Sequence, residues 1–179
     1  MRKMKSFQSA AGAATVVAVS LLLGCSSMSI SKPDARAELG PASGSQVAGA
    51  VTFTRLSGGG VHVDGDLSGL TPGEHGFHVH ELGDCSAPDA TSAKGHFNPT
   101  GKLHGGQDGE HHAGDMANLV ADADGKAHYS ADFPALEIGS GDGNIIGRAV
   151  VIHAAADDYK TQPAGNSGKR VACGMIKAN

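Results

Sequence analysis

Apolar residues alternate with polar ones, or gather in short clusters, along most of the chain after its first 45 residues. These runs occupy residues 47–56, 61–67, 127–133 and 148–153, and turns rich in Gly and Asp separate them. No stretch beyond the N-terminal segment keeps the 3.6-residue period of a long helix, and glycine reaches 27 of 179 residues, about twice its usual share. The pattern therefore predicts an all-β fold.

The first 45 residues have a different pattern, which predicts export and a membrane anchor. Arg2, Lys3 and Lys5 precede an apolar run at residues 10–23 that is too short to span a bilayer comfortably. The sequence Leu-Leu-Gly-Cys at 22–25 is typical of a lipoprotein cleavage box, and Ser26 does not suggest retention at the inner membrane. The alternative is a plain signal peptide with an incidental cysteine.

These features predict the organisation of the whole chain. We expect a lipoprotein signal peptide at 1–24, a lipid-anchored flexible linker rich in Ser, Ala, Gly and Pro at 25–45, and one domain at 46–179. With a lipid on Cys25, the protein would be in the bacterial periplasm, attached to the outer membrane.

Charge and composition narrow the possible partners. The formal net charge is −4, and removal of the three leader cations leaves −7. Aromatic residues make up only 4% of the chain, and no basic stripe is present in the sequence. Nucleic-acid binding is therefore not expected.

Seven residues of the domain have side chains and spacings suited to binding metal ions. His78 and His80 are two residues apart beside aromatic and β-branched neighbours, so on a strand both point to the same face. A Gly-rich segment without strand or helix periodicity follows, and His153 ends a later apolar run. The Gly-rich segment contains His96, His104, His112 and Asp115.

The donor atoms indicate which metals would bind. Imidazole suits copper and zinc, whereas calcium and magnesium prefer shells of oxygen. The predicted copper ligands are His78, His80, His96 and His153. The predicted zinc ligands are His96, His104, His112 and Asp115, a closed set of four as in structural zinc sites. His96 would serve both ions.

The remaining histidines have simpler interpretations. His62 and His128 lie in alternating polar strands and are expected to face solvent, and His75 is expected to be a structural hydrogen-bonding residue. His111 adjoins His112, and only the three-residue step to Asp115 favours His112 as the ligand.

The motifs around these residues resemble those of the copper/zinc superoxide dismutase family. The segments GFHVH, GHFNP, HGG, HxGD, IIGRxxVxH and RxACG occur in that order between Gln46 and Asn179. Several such motifs together make a chance match improbable. The family's ligands fall on the same two sets of residues. The lipoprotein box and the short loops are similar to those of a bacterial, periplasmic member.

The resemblance implies a fold and an activity. The fold would be an eight-stranded Greek-key barrel or sandwich, with one loop at 83–114 holding the zinc ligands and another at 154–169 covering copper. The activity would convert superoxide to O₂ and hydrogen peroxide by one-electron cycling of copper, with zinc in a structural role. The enzyme would protect the cell envelope from exogenous superoxide, and it could form a homodimer.

The resemblance also implies roles for two charged residues. Arg170 matches the arginine that orients superoxide beside copper, and a guanidinium offers several donors to an oxygen anion. Because the domain is acidic, capture of an anion would need such a local positive charge. Lys160 and Lys169 could extend this field, although solvated surface lysines are the simpler interpretation. Asp157 matches a carboxylate that joins a copper-binding His78 to a zinc-binding His104.

Three cysteines in an exported chain leave one unpaired unless one of them is modified. With Cys25 lipidated, Cys85 and Cys173 would form a disulfide that fixes the loop carrying the site. The alternative is two buried free thiols, which an oxidising compartment disfavours.

Two other functional classes are weaker alternatives. A copper or zinc storage protein would be expected to lack a copper histidine, the shared histidine or the arginine, and this sequence has all of them. A zinc hydrolase would need a free carboxylate as general base near the metal, and the motifs supply none.

Overall fold

The computed structural model describes Met1 and residues 32–179, and the regular structure of that part consists of nine β-strands and one short 3₁₀ helix at Thr91–Ala93. The strands are β1 (Ala35–Pro41), β2 (Ala48–Arg55), β3 (Val61–Ser68), β4 (Gly73–His75), β5 (Phe77–His80), β6 (Leu119–Ala121), β7 (Ala127–Phe133), β8 (Ala149–His153) and β9 (Arg170–Ala178). Among the described residues, no helix has the length and apolar character needed to cross a membrane.

Seven of the strands form one curled antiparallel sheet, in the order β5-β8-β9-β1-β2-β3-β7. β4 pairs with β6 in a second, two-stranded sheet, and β6 lies against β7. Only Gly76 separates β4 from β5, so the two behave as one interrupted strand, and counting them together gives eight strands. The prediction of an all-β Greek-key fold is confirmed.

Alternation along the strands builds the core. In β3, the inward positions Val61, Val63, Gly65 and Leu67 are buried, while the residues that alternate with them lie on the outer face. β5 and β8 are buried on both faces, since Phe77 and Val79 pack in the main core and loops cover the opposite side. This is why the run at 149–152 is apolar at every position.

The folded domain begins earlier than the predicted boundary at residue 46. β1, which lies within the predicted linker, pairs with β2 on one side and β9 on the other. Its buried positions are Ala35, Ala37 and Leu39, and the residues between them are exposed. The prediction of a flexible linker is therefore wrong for residues 35–41. The prediction failed because small side chains fill most of the inward positions of β1, so this strand resembles a linker in composition. Cys25 and the predicted signal peptide lie outside the described residues, apart from Met1.

The two long connections at one end of the barrel carry the polar residues of interest. The first joins β5 to β6 across residues 81–118, and the second joins β8 to β9 across residues 154–169. Both correspond closely to the predicted loops at 83–114 and 154–169.

Candidate metal centre

Strands β5 and β8 place three histidines on one face of the sheet. His78 and His80 alternate with the core residues Phe77 and Val79, and β5 pairs antiparallel with β8. The register between β8 and β9 shifts at His153, which lies opposite Arg170. Such bulges commonly redirect a side chain next to a functional site. All three histidines are buried.

The first long loop folds back against β5 and brings its own ligand candidates to the same face. Isolated bridges pair His78 with Asp115 and His80 with His96. The backbone N–H of Val79 donates to Gly114 at 2.9 Å, and Gly114 donates in turn to Phe97 at 2.9 Å. A Cβ on Gly114 would lie 2.3 Å from the Val79 carbonyl oxygen, so this close approach requires glycine.

Four ring nitrogens converge on one point at this face. Suitable donor atoms of the four residues lie within 4.8 Å of one another. Within residues 32–179, none of these four nitrogens has a hydrogen-bond partner, although each is buried. They are His78 Nδ1, His80 Nε2, His96 Nε2 and His153 Nε2. Buried polar atoms without a partner are costly, and a bound copper ion would satisfy all four.

The opposite nitrogen of three of these rings is held by an acceptor. His80 Nδ1 lies 2.9 Å from the Lys94 carbonyl oxygen, and His153 Nδ1 lies 3.2 Å from that of Gly168. The acceptor for His78 Nε2 is a carboxylate oxygen at 2.7 Å. Each acceptor favours a proton on its own side of the ring, which leaves the converging nitrogen free to bind metal.

A second group of four forms around Asp115, which is 1% exposed. Its carboxylate oxygens lie 2.7 Å from His96 Nδ1, 3.0 Å from His104 Nδ1 and 3.1 Å from His112 Nδ1. Three nitrogens and one carboxylate fit a structural zinc ion. His96 belongs to both groups, with one ring nitrogen in each.

The geometry distinguishes His112 from its neighbour. His112 is buried within the second group, whereas His111 is less buried and its Nδ1 lies 2.8 Å from the Gly109 carbonyl oxygen. His75 bonds the backbone of Thr71 and His153, while His62 and His128 pair with aspartates on the outer face of β3 and β7.

The surroundings keep the candidate ligands in the forms that bind metal. Burial, reinforced by nearby His96, lowers the pKa of His78 and His80 well below the usual value. Burial also lowers the pKa of His153 to about 4. Although burial opposes a charge on Asp115, the hydrogen bond from His96 and the neighbouring imidazoles lower the pKa of Asp115 to about 2. At neutral pH the rings of His78, His80 and His153 are therefore uncharged and the Asp115 carboxylate is ionised.

Asp157 connects the two groups through its side chain. One carboxylate oxygen lies 2.7 Å from His78 Nε2, and the other lies 3.0 Å from His104 Nε2. Asp157 is buried, so these contacts are shielded from water. The structure thus places Asp157 between His78 and His104.

Arg170 stands beside the converging histidines in an open cavity of about 300 Å³, which His80, His96 and His153 also line. Its Nη1 donates to the Ala90 carbonyl and its Nη2 to the Lys94 carbonyl, both at 2.6 Å. The Lys94 carbonyl is also the acceptor for His80. A single backbone group therefore fixes both the arginine and a histidine of the first group.

The predicted disulfide is present between Cys85 and Cys173. Their Cα atoms are 5.8 Å apart and 88 residues separate them in the sequence. The bond ties the first long loop to β9, three residues from Arg170. It lies in a small buried cluster on the outer face of β8, together with Ala149 and Val151.

Sequence reasoning missed several residues around the site. Glu81 also lines the cavity, whereas neither Lys160 nor Lys169 does. Asn118 and Gln162 hold the loop backbones, and no motif of the sequence indicates those contacts. Of these residues, only Glu81 could have been expected near the site from the sequence, because it directly follows His80. It adds a second charged group at the opening of the cavity.

The fold and the site define a β-barrel protein with two adjacent groups of residues that could hold metal ions, and His96 is a member of both. The family model described as copper/zinc superoxide dismutase (SODC) matches residues 47–176. The chain therefore belongs to the copper/zinc superoxide dismutase family. Its predicted activity as a superoxide dismutase and its predicted cofactors, copper and zinc, are confirmed.

Relatives from distant organisms support this assignment. Superoxide dismutase [Cu-Zn] 2 of Mesembryanthemum crystallinum is 46% identical, over 73% of this chain and 86% of that protein. Superoxide dismutase [Cu-Zn] 2 of Aquifex aeolicus is also 46% identical, over 66% and 72%. The superoxide dismutase [Cu-Zn] of Paramecium bursaria Chlorella virus 1 is 42% identical, over 90% and 87%.

Solved structures agree on the fold. A SOD-like protein from Bacillus subtilis is 39% identical, with a TM-score of 0.71, and the match covers 78% of this chain and 96% of that one. A double mutant of that SOD-like protein gives a TM-score of 0.72 at 40% identity, covering 79% and 96%.

Proposed function

We propose that this superoxide dismutase uses His96 as a ligand shared by its two metal ions, and that it protects the cell envelope from exogenous superoxide. Copper would be held by His78, His80, His96 and His153, and zinc by His96, His104, His112 and Asp115. The observation that carries the proposal is the position of His96, whose Nδ1 lies 2.7 Å from Asp115 while its Nε2 faces the other three histidines without a partner among the described residues.

When bound, copper supplies one-electron exchange with superoxide, which zinc does not because it has no redox chemistry. Arg170 supplies a fixed positive charge at the cavity, and its two backbone bonds limit its movement. That charge attracts an anion to a protein whose net charge is otherwise negative. His96 Nε2 can hold a proton and release it to the product, while Nδ1 stays with the Asp115 group.

The shared histidine is tested by loading copper together with cobalt, which takes the place of zinc and is paramagnetic. The protein should begin at Lys32, because a chain that begins at Gln46 would lack β1. We expect magnetic coupling through the ring to suppress the Cu(II) electron paramagnetic resonance signal in the parent. His96→Ala should restore that signal and lose superoxide removal. A full, uncoupled Cu(II) signal in the doubly loaded parent would contradict the shared ligand.

The role of Arg170 is tested with the same preparation. Arg170→Ala should bind both metals but remove superoxide more slowly, with a weaker dependence on ionic strength, since a steering charge has been lost. Arg36→Ala, at an exposed arginine on β1, is the matched control and should behave as the parent. Equal rates and equal salt dependence in all three proteins would contradict the role.

The envelope location depends on Cys25, and the predicted leader and lipid box support it. Expressed in a bacterium, the full chain should take up labelled palmitate and fractionate with the outer membrane. Cys25→Ser should lose both properties. An unlabelled full chain in the cytosol would contradict the proposal. Sedimentation of the domain tests the predicted homodimer.

A further inference from the structure

Gln162 makes a two-point contact with one backbone unit of the opposite loop. Its Oε1 accepts from the backbone N–H of His104 at 2.9 Å, and its Nε2 donates to the carbonyl oxygen of the same residue at 2.8 Å. The side-chain amide thus pairs with His104 as a neighbouring strand would. Gln162 belongs to the loop between β8 and β9, and His104 to the loop between β5 and β6.

A second amide makes the same kind of contact in the opposite direction. Asn118, at the end of the first loop, accepts from the backbone N–H of Asp157 at 2.9 Å and donates to its carbonyl oxygen at 3.0 Å. The side chains of His104 and Asp157 are themselves 3.0 Å apart. Each loop therefore holds the other at the residue that makes this central contact.

Gln162 also belongs to a turn that is closely bonded within itself. The side chain of Asp158 accepts from the backbone N–H groups of Lys160 and Thr161, and the N–H of Gly165 donates to the Thr161 carbonyl at 2.7 Å. Gly165 lies against the central contact, because a Cβ there would be 1.7 Å from Asp157 Oδ1. These bonds tie residues 158–165 to one another, so a contact at Gln162 restrains the residues beside it.

The residues beside Gln162 form part of the cavity that contains Arg170. Pro163 and Ala164 line this cavity together with His80, His96 and His153. The side chain of Gln162 itself is directed to His104 and does not line the cavity. It can therefore affect the opening only through the position of its neighbours.

We propose that Gln162 is a positioning residue, whose amide sets the wall of the copper cavity at Pro163 and Ala164 from the position of the zinc-side ligand His104. The inference rests on the proposed assignment of His104 to zinc. An amide is suited to this contact because it offers one acceptor and one donor, whereas a carboxylate would face the His104 carbonyl with a second acceptor.

The test is hydrogen exchange of the chain from Lys32 to Asn179, which forms one compact unit, without metal and with zinc alone. In the parent, zinc should increase protection of the amides around His104 and of those at 158–166. In Gln162→Ala, the increase around His104 should remain except at the His104 amide itself, which loses its acceptor Gln162 Oε1. Protection at 158–166 should fall roughly tenfold, as expected for the loss of two modest hydrogen bonds. Gln162→Glu should give an intermediate loss, since it keeps the acceptor.

Gln46→Ala is the matched control, since Gln46 is exposed and distant in sequence, and it should respond as the parent. The proposal would be overturned if Gln162→Ala kept the zinc-dependent protection at 158–166. Failure of the zinc assignment gives a different result, because the parent itself would then show no zinc-dependent protection around His104. A cobalt spectrum taken in place of zinc should be the same in Gln162→Ala and the parent if His104 still binds, which separates a positioning role from loss of the ligand.

Discussion

The histidines at the loop end of this barrel differ in burial and in pKa from those on the outer face of β3 and β7. At the loop end, His78, His80 and His153 are buried, and burial lowers the pKa of all three. On the outer face of β3 and β7, His62 and His128 pair with aspartates across the strands and are much more accessible. The hydrogen bond with Asp132 raises the pKa of His62.

The difference does not lie in the partners, because both regions combine imidazole with carboxylate. Asp157 contacts His78 at the loop end as Asp132 contacts His62 on the outer face. What differs is the exclusion of water. A buried ring is kept neutral and presents a free nitrogen, whereas a carboxylate beside a more exposed ring, as at His62, raises the pKa of that ring. Burial thus turns a common surface pair into a candidate metal ligand with its orienting group.

The largest difference between the two regions is expected in superoxide removal, when one histidine ring is removed from each. His153→Ala should nearly abolish superoxide removal, because it removes one of the four converging nitrogens. The loss should exceed the roughly 10- to 100-fold change typical of a group that only orients a ligand. His128→Ala is the control and should keep parental activity and copper content. Full activity in His153→Ala, measured with copper content, would remove His153 from the metal-binding residues.

The disulfide should give the next largest effect, measured as stability. Replacement of both Cys85 and Cys173 by Ser opens a link across 88 residues. In the chain-entropy model, this lowers the free energy of unfolding by about 4 to 5 kcal/mol. Urea unfolding of the metal-free proteins measures it, since bound metal would add its own stabilisation. An unchanged urea midpoint would show that the link does not stabilise the loop end.

Replacing the carboxylate that contacts a histidine should change metal affinity at the loop end but not on the outer face, and the effect should be smaller than the two above. Asp157→Asn keeps the shape of the side chain but removes its charge, so zinc and copper affinity should fall by roughly 10- to 100-fold. Asp132→Asn makes the same change on the outer face and should leave both affinities as in the parent. Competition with a chelator measures them. Equal affinities in the two variants would contradict a role for Asp157 in orienting His78 and His104.

Much of the fold could be predicted from the sequence where strands have large apolar residues on their inward side. The runs at 61–67 and 127–133 coincide with β3 and β7 to within one residue. β1 was missed because Ala35 and Ala37 are small, and its strand character comes from pairing with β2 and β9. The three-residue strands β4 and β6 also depend on their mutual pairing.

The candidate site shows the same division between local and tertiary information. The motifs and the family resemblance were enough to predict that the seven metal-binding candidates and Asp157 lie close together. They favour His112 over His111 only through the three-residue step to Asp115, whereas the folded loop separates the two clearly because it buries His112 and leaves His111 partly exposed. Gln162 and Asn118 carry no local signal, since their contacts join two loops that are far apart in sequence.

The smallest effect is expected for replacement of His62, and it is a change in stability that should depend on pH. The hydrogen bond with Asp132 is the largest cause of its raised pKa, burial acts against it, and Asp64 adds to the rise. Because the pKa is higher in the folded protein, the stabilisation is fully present below the unfolded-state pKa of 6.5 and disappears as the pH rises through the folded-state pKa.

His62→Gln should therefore lower stability at pH 6 more than at pH 9. The ring is partly exposed, so the difference should lie within the roughly 0.2–1 kcal/mol typical of exposed ion pairs. Urea unfolding of metal-free parent and variant at both values measures it. High salt should reduce the difference at pH 6, since exposed charges are screened. A difference that is the same at pH 6 and pH 9 would mean that His62 contributes through packing alone, and the contrast in charge between the two regions would then rest only on the buried end.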